Sequence, residues 1–600
     1  LETPFIQRHI EATRSAYGID LRSRVLQFNA HAEGKIDFQK NRPMLENVRL
    51  WDWRAFQDTL SQIQPLRPYV YQDIDVDRYQ IDGRLRQVLL APRELELDQL
   101  GEARNQWINR SLIFSHGYGL ALAEANRIQP DGSPELLIKD APVEVLTKSL
   151  RVAKPQIYYG EMSHEPVFVR TAQPEFDYPS GGGQVTNRYD GRGGFPMSAA
   201  GSRFLAALSE GDWNIVLSNS LTPESRMMIR RKVPERLGTL AEFITWDPDP
   251  YLVITDSGRL VWMVDGYTTS AAHPYSLERN MQPFGNFNYI RNSVKATVDA
   301  YDGEVTMYIF DEADPLIAAY RNLFPSLFRK KSEMPADLRA HARAPEAMFN
   351  VQADIYRTYH MREPASYYNR ADLYDLATFS DTQGGKSQYV NPTYMIAKIP
   401  GESEPEFLLA TPYTPRGKRN LIGMMIARCD GPALGEIVFV ELPKQEIIPG
   451  PMQVEALINQ DQTISKDLTL WNQQGSQVLR NQILALPIDN TFLYVAPIFL
   501  QAPQARMPQL KKVALVVGNT LVYTDTYEQA LAQLEAVLRG SAPPPPPQTS
   551  TANQTTATPT VDLRVDEVRR HLSRYRELSS QGKWSEAGKE LEAIESLVKK

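Results

Sequence analysis

Cysteine is almost missing: Cys429 stands alone in 600 residues. That excludes an intramolecular disulfide and any cysteine-based zinc site. It leaves the compartment open, because an extracytoplasmic bacterial protein can also do without cysteine. Positive charge is not in excess either. The net charge is −7, which removes the usual ground for expecting a nucleic-acid partner. Long apolar runs are lacking: Leu421–Ala427 and Thr491–Leu500 fall well short of the roughly 18 residues needed for a membrane-spanning helix. The chain has eight histidines but no His-x-x-x-His pair, and it has no Gly-x-Ser-x-Gly elbow. Its glycine clusters, Gly181-Gly-Gly183 and Gly191-Arg-Gly-Gly194, lack the lysine of a phosphate-binding loop and the setting of a dinucleotide fingerprint.

What is present reads as ordinary globular architecture. Tyr251–Val264 holds two apolar, β-branched and aromatic runs divided by Asp256-Ser-Gly258, the pattern of a β-hairpin. Lys295–Phe310 repeats it around Asp302-Gly303, which suits a type I′ turn. Next, Asp314 can cap a helix whose first residue is Pro315, a position where the missing N–H costs nothing. That helix is expected to run to about Leu323.

Taken in order, the chain divides into six stretches. Residues 1–64 read as helical, from Pro4 to about Ser23 and from Trp51-Asp-Trp53 to about Ile63. Residues 65–325 form a first α+β domain holding the two hairpins, with helices expected over Leu95–Leu112 and Glu224–Leu240 and a long irregular region over Thr171–Gly194. Residues 326–390 are a helical, aromatic-rich connection. Residues 391–540 form a second, β-rich α+β domain closed by a helix in which Asp525 and Glu528 have capping-box spacing. A Pro/Thr-rich linker follows at 541–561. A helical hairpin closes the chain at 562–600. The fold class expected is α+β: mainly antiparallel sheets with packed helices, in several domains.

Three groups of residues could carry chemistry. Asp73, Asp75 and Asp77 alternate, so a strand would project their carboxylates from one face, and calcium would suit such oxygens. An EF-hand loop would need glycine at Arg78 and glutamate at Arg84, so the plainer expectation is a solvated strand face. Ser115, His116 and Tyr118 lie in a glycine loop and are candidates for ligand binding. Adjacent residues in a tight loop make a poor nucleophile–base pair, which favours a structural histidine. Glu161, Glu175 and Asp177 flank the glycine clusters and are the candidate catalytic carboxylates, the glycine loops serving as a lid. No cofactor is called for other than calcium at the three aspartates.

Short motifs spaced along the chain resemble one family. They include Asn47-Val-Arg-Leu-Trp-Asp52, Asp73-Ile-Asp-Val-Asp-Arg-Tyr79, Ser115-His-Gly-Tyr-Gly119, Glu175-Phe-Asp-Tyr-Pro179, Asp265-Gly-Tyr-Thr-Thr-Ser270, Asn288-Tyr-Ile-Arg-Asn-Ser293, Gly450-Pro-Met-Gln453 and Leu493-Tyr-Val-Ala-Pro-Ile498. Together they are similar to uncharacterised protein family 0182, whose members are large bacterial multi-pass membrane proteins. The resemblance implies transmembrane helices ahead of a soluble region, and the opening at Leu1 rather than methionine fits a chain that starts there. It transfers no catalytic residue. The function expected is a binding or assembly module of the cell envelope, the extracytoplasmic part of a membrane protein. An envelope enzyme and a docking or gating domain of a transporter are the alternatives. The partners expected are its own transmembrane region, a second copy of the chain, and a protein docking on residues 562–600.

Overall fold

The computed structural model describes residues 2–20, 22–162, 165–380, 387–473, 475–502 and 506–541, with 571, 574–575, 588–591 and 593. Leu1–Pro543 form one compact unit and Pro544–Lys600 a second. The architecture is α+β, and the sheets are mainly antiparallel with helices packed on them.

A five-stranded meander lies at the centre of the larger unit: Asp75–Ile81, Arg84–Pro92, Leu120–Ile128, Pro134–Lys139 and Glu144–Val145. Side chains alternate across a strand, and here both faces are covered. Leu89, Ala91, Ala121 and Ala123 enter the largest apolar core, shared with the N-terminal helices and the later sheets. Val88, Leu90, Leu120 and Leu122 enter a second core, against Leu252, Trp262, Val264 and Val298. The near-continuous apolar run Val88–Ala91 follows from this double burial.

The second core is closed by the two predicted hairpins. Tyr251–Ile254 pairs with Leu260–Ser270, which pairs with Tyr289–Asp299, and that strand pairs with Val305–Ile309. Helix Pro315–Leu323 follows, with Asp314 accepting from Leu316 N and Ile317 N. The second turn differs from expectation. Gly303 has φ +69° but Asp302 is not left-handed, so this is no type I′ turn. Instead Asp299 Oδ1 accepts from Tyr301 N and Asp302 N, at 2.9 and 2.7 Å, and shapes a longer loop.

Two further sheets contribute to the largest core. One joins Ser23–Gln27 in parallel to Ile437–Glu441, then Gly423–Arg428, Glu406–Pro415 and Tyr374–Leu376, with Thr393–Ala397 on Glu406–Pro415. The other is built from strands between Gln477 and Thr524, with helix Tyr527–Leu538 packed on it. That helix is capped by Thr526, which accepts from Gln529 N, and not by Asp525.

Several helices come out shorter than their periodicity suggests. Thr3–Ala16 stops at Gly18, whose φ is +67°. Leu97–Asn105 is kinked at Gly101. Within Glu224–Leu240 only Val233–Leu240 is helical, because Arg226–Met228 pairs as a strand with Val167–Val169. The region Thr171–Gly194 contains a hairpin, Glu175–Ser180 with Gly183–Asn187. In the smaller unit, His571 Nδ1 lies 2.6 Å from Glu590 Oε2. The rest of the expected linker and terminal hairpin lies outside the described residues.

Candidate functional site

Three carboxylates remote in sequence meet beside the central sheet. Asp73 lies two residues ahead of the start of the edge strand Asp75–Ile81. Glu161 lies in a turn clamped by buried Glu94, whose two oxygens accept from Glu161 N at 2.8 Å and Met162 N at 2.9 Å. Gly160 makes the clamp feasible, since a Cβ there would sit 2.1 Å from Glu94 Oε2. Asp249 comes from Trp246-Asp-Pro-Asp-Pro250, where Asp247 Oδ1 accepts from Asp249 N at 3.1 Å. One carboxylate oxygen of each of Asp73, Glu161 and Asp249 lies within 4.8 Å of the other two.

The electrostatics there are strained. Glu161 Oε2 is shut off from solvent and has no hydrogen-bond partner. Burial, then Glu94, Asp75, Asp73 and Asp249, pushes the Glu161 carboxyl well above its ordinary range. Burial and Asp73 do the same to Asp249, even though Asp249 faces the cleft. Asp75 is raised by burial and by Asp73, and its Oδ2 accepts from Leu252 N at 2.8 Å. Arg343 is the neighbouring cation that lowers both Asp75 and Asp249. It is held between Tyr251 and Tyr394, 3.9 and 4.8 Å from their ring centres, and donates to Val76 O at 2.6 Å.

Asp73, Asp75, Asp249 and Arg343 open onto a cleft of about 650 Å³. Its walls carry Trp53, Asn350, Asn391, Asn481, Gln482 and Gln501. A second cavity of about 520 Å³ shares Asp249, Arg343, Glu346 and Tyr394 with it. The lining of the 650 Å³ cleft is dominated by groups that donate and accept hydrogen bonds.

The alternating aspartates therefore do not form a solvated face. Asp75 and Asp77 are 3% and 0% exposed, because the edge strand is covered by Tyr251–Ile254 and by residues 341–343. Asp77 has a structural role: Oδ1 accepts from Arg78 Nη1 at 3.0 Å and Oδ2 lies 2.7 Å from His341 Nδ1. Burial would raise its pKa, but His341 and Arg78 outweigh burial and hold it below the usual range.

The other candidates gather in a separate buried cluster. Ser115 Oγ donates to Glu175 Oε2 at 3.2 Å, and Tyr158 OH donates to the same oxygen. His116 Nδ1 is 3.0 Å from Gly117 O, which can only accept, so Nδ1 carries the proton. Nε2 then presents a lone pair 3.4 Å from Asp177 Oδ1 and 3.9 Å from Glu175 Oε2. Burial lowers His116 to about 4 and raises Glu175 and Asp177 to about 6. Ser115 and His116 are fully buried, and Arg231 Nη1 donates to Ser115 O at 2.7 Å. Tyr118 packs with Tyr69, Leu95 and Phe176. Gly181 and Gly182 form the exposed tip of the hairpin, whereas Gly193 and Gly194 are pinned by Arg226 at 2.7 and 2.6 Å. The glycine loops are thus not one lid over Glu161, Glu175 and Asp177.

Sequence reasoning picks out Asp73 and Glu161 but misses Asp249 and Arg343. The Asp-Pro-Asp-Pro run was the available signal, since two prolines flanking Asp249 stiffen the loop that presents it.

By class, this is an α+β protein of stacked antiparallel sheets with an acid-floored polar cleft. The chain belongs to the uncharacterised protein family UPF0182, whose family model matches residues 1–471. A UPF0182 protein of Solibacter usitatus is 60% identical over 605 residues, covering 100% of this chain and 66% of that protein. Relatives from Desulforamulus reducens and Pelotomaculum thermopropionicum are 38% and 41% identical, with 64% and 58% of their lengths covered. The chain thus spans less than two thirds of the curated relatives' length. No solved structure matches it. Among the described residues, no helix is long and apolar enough to cross a membrane.

Proposed function

We propose that this chain is a non-catalytic binding module of the bacterial cell envelope, and that its ligand is a hydroxyl-rich molecule of the saccharide class held in the 650 Å³ cleft. The cleft's lining carries this reading. Amides, carboxylates and guanidinium groups are planar and pair with neighbouring hydroxyls, and Trp53, 38% exposed with Arg54 stacked on its ring at 4.6 Å, adds an aromatic edge to the same lining. The carboxylates that would have favoured catalysis are divided between two places, and the Glu175 group is sealed. A glycan array followed by calorimetry tests the proposal. Saccharide binding weakened at least tenfold by Trp53→Ala supports it; no saccharide bound, or binding indifferent to Trp53→Ala with Asn350→Ala, refutes it.

A second observation favours the assembly half of the role. Phe204, Leu205 and Leu208 on Ala200–Glu210, Leu217 on Asn214–Leu217, and Trp213 just ahead of the second helix are 50–76% exposed. Apolar surface of this kind marks a contact. We assign it to the membrane-embedded part expected of the longer relatives. Crosslinking from Leu208 in the full-length protein to that part supports the assignment, and crosslinks only to other proteins refute it.

A further inference from the structure

We infer that Asp73, Glu161 and Asp249 hold one divalent cation of the calcium class at the floor of the cleft. The geometry comes first. Three oxygens within 4.8 Å of one another can share one ion: two ligands on opposite sides of calcium stand about 4.8 Å apart, from calcium–oxygen distances of about 2.4 Å. The donors are all carboxylates, with no imidazole or thiolate, which selects a hard cation over zinc or copper.

The second observation is independent of the clustering. A buried carboxylate oxygen without a donor is rare, because leaving it unsatisfied forfeits its hydration with nothing in return. Glu161 Oε2 is such an oxygen, and its carboxylate belongs to the three-oxygen group. The fold also fixes the backbone that carries Glu161: Glu94 accepts from the N–H groups of Glu161 and Met162, and Gly160 leaves room for it. A turn held by a second buried carboxylate, presenting a third toward two aspartates, repels itself unless something positive lies among them. Asp73 and Asp249 approach each other closely enough for their carboxylate oxygens to share one neighbour with Glu161. Arg343 stands 3.9 Å from Asp75 Oδ1 and is also held by Val76 O and two tyrosine faces, and among the described residues no contact ties it to Glu161.

This deepens the ligand-binding reading, since a cation in that place would stiffen the cleft floor and offer open positions to hydroxyl oxygens. It rests on that reading for its role and stands on its own as a site.

The test uses the whole chain stripped with EDTA. Equilibrium dialysis against CaCl2, MgCl2 and MnCl2 is expected to give one calcium per chain, with affinity weakened at least tenfold in Glu161→Gln and in Asp73→Asn, and unchanged in Glu210→Gln on the exposed end of a helix. Thermal melting gives a second readout that a merely acidic cluster would not reproduce. Millimolar calcium raises the melting midpoint of the native sequence above its value in EDTA, and Glu161→Gln shows no such rise. No divalent ion bound at millimolar concentration overturns the inference, as does calcium bound equally by Glu161→Gln. Saccharide binding that persists in EDTA alongside absent calcium binding sinks the metal site and leaves the saccharide reading standing; loss of both sinks both.

Discussion

Replacing Glu175 with glutamine should reverse its effect on stability with pH. The Glu175 carboxyl is raised to about 6 by burial, against the donors Tyr158, Tyr189 N and Ser115, which lower it. A carboxyl whose folded pKa exceeds its unfolded pKa contributes stability that is complete below about 4.5 and is lost as pH rises through about 6. The gap corresponds to roughly 2 kcal/mol. Glutamine abolishes that loss. It costs about 1 kcal/mol at every pH, because its amide must face Ser115 Oγ and a Tyr158 hydroxyl already taking a bond from Asn187 Nδ2 at 3.1 Å. The variant should therefore be less stable at pH 4.5 and more stable at pH 8, each by about 1 kcal/mol. For a unit of this size about 1 kcal/mol moves the melting midpoint by about 1 °C. Differential scanning fluorimetry at pH 4.5, 6 and 8 reads the crossing directly. An offset of constant sign across that range would refute the buried-acid account of this cluster.

Three further outcomes are expected. Gly160→Ala, whose Cβ would stand 2.1 Å from Glu94 Oε2, should lower the melting midpoint by about 2 °C and lose calcium binding in dialysis; retained calcium binding would mean that the clamp does not position Glu161. Asp314→Ala strips the acceptor from Leu316 N, Ile317 N, Thr268 Oγ1, Ser293 Oγ and Tyr289 OH, costing about 3 kcal/mol in denaturant titration, with Asp314→Asn milder. Cys429, buried and with its thiol pushed up to about 12, should resist a thiol reagent at pH 8 until the chain unfolds, so labelling in native buffer should follow global opening.

Much of the fold can be read from the chain because its cues are local. The hairpins at 251–264 and 295–310 announce themselves by apolar runs around short polar turns, and Asp314-Pro315 marks its helix because cap and first-turn residue are adjacent. Where a competing long-range contact decides, the cues mislead. Arg226–Met228 looks helical beside Val233–Leu240, yet it pairs with Val167–Val169 about sixty residues away. The site divides the same way. Asp-x-Asp-x-Asp can be seen at 73–77, but its burial depends on Tyr251–Ile254 and His341, and Asp249 joins Asp73 only through the stacking of two sheets. A lone glycine before Glu161 gives no hint that Glu94 occupies the space where its side chain would be.

The most direct test of the cleft as a ligand site is native mass spectrometry of the intact chain, purified without chelator and compared with the same sample after EDTA and after Glu161→Gln. The account predicts one calcium on the native chain, removed by EDTA and missing from the variant, and a saccharide adduct on added oligosaccharide that Trp53→Ala weakens. A chain that carries neither ion nor saccharide under any of these conditions would contradict it.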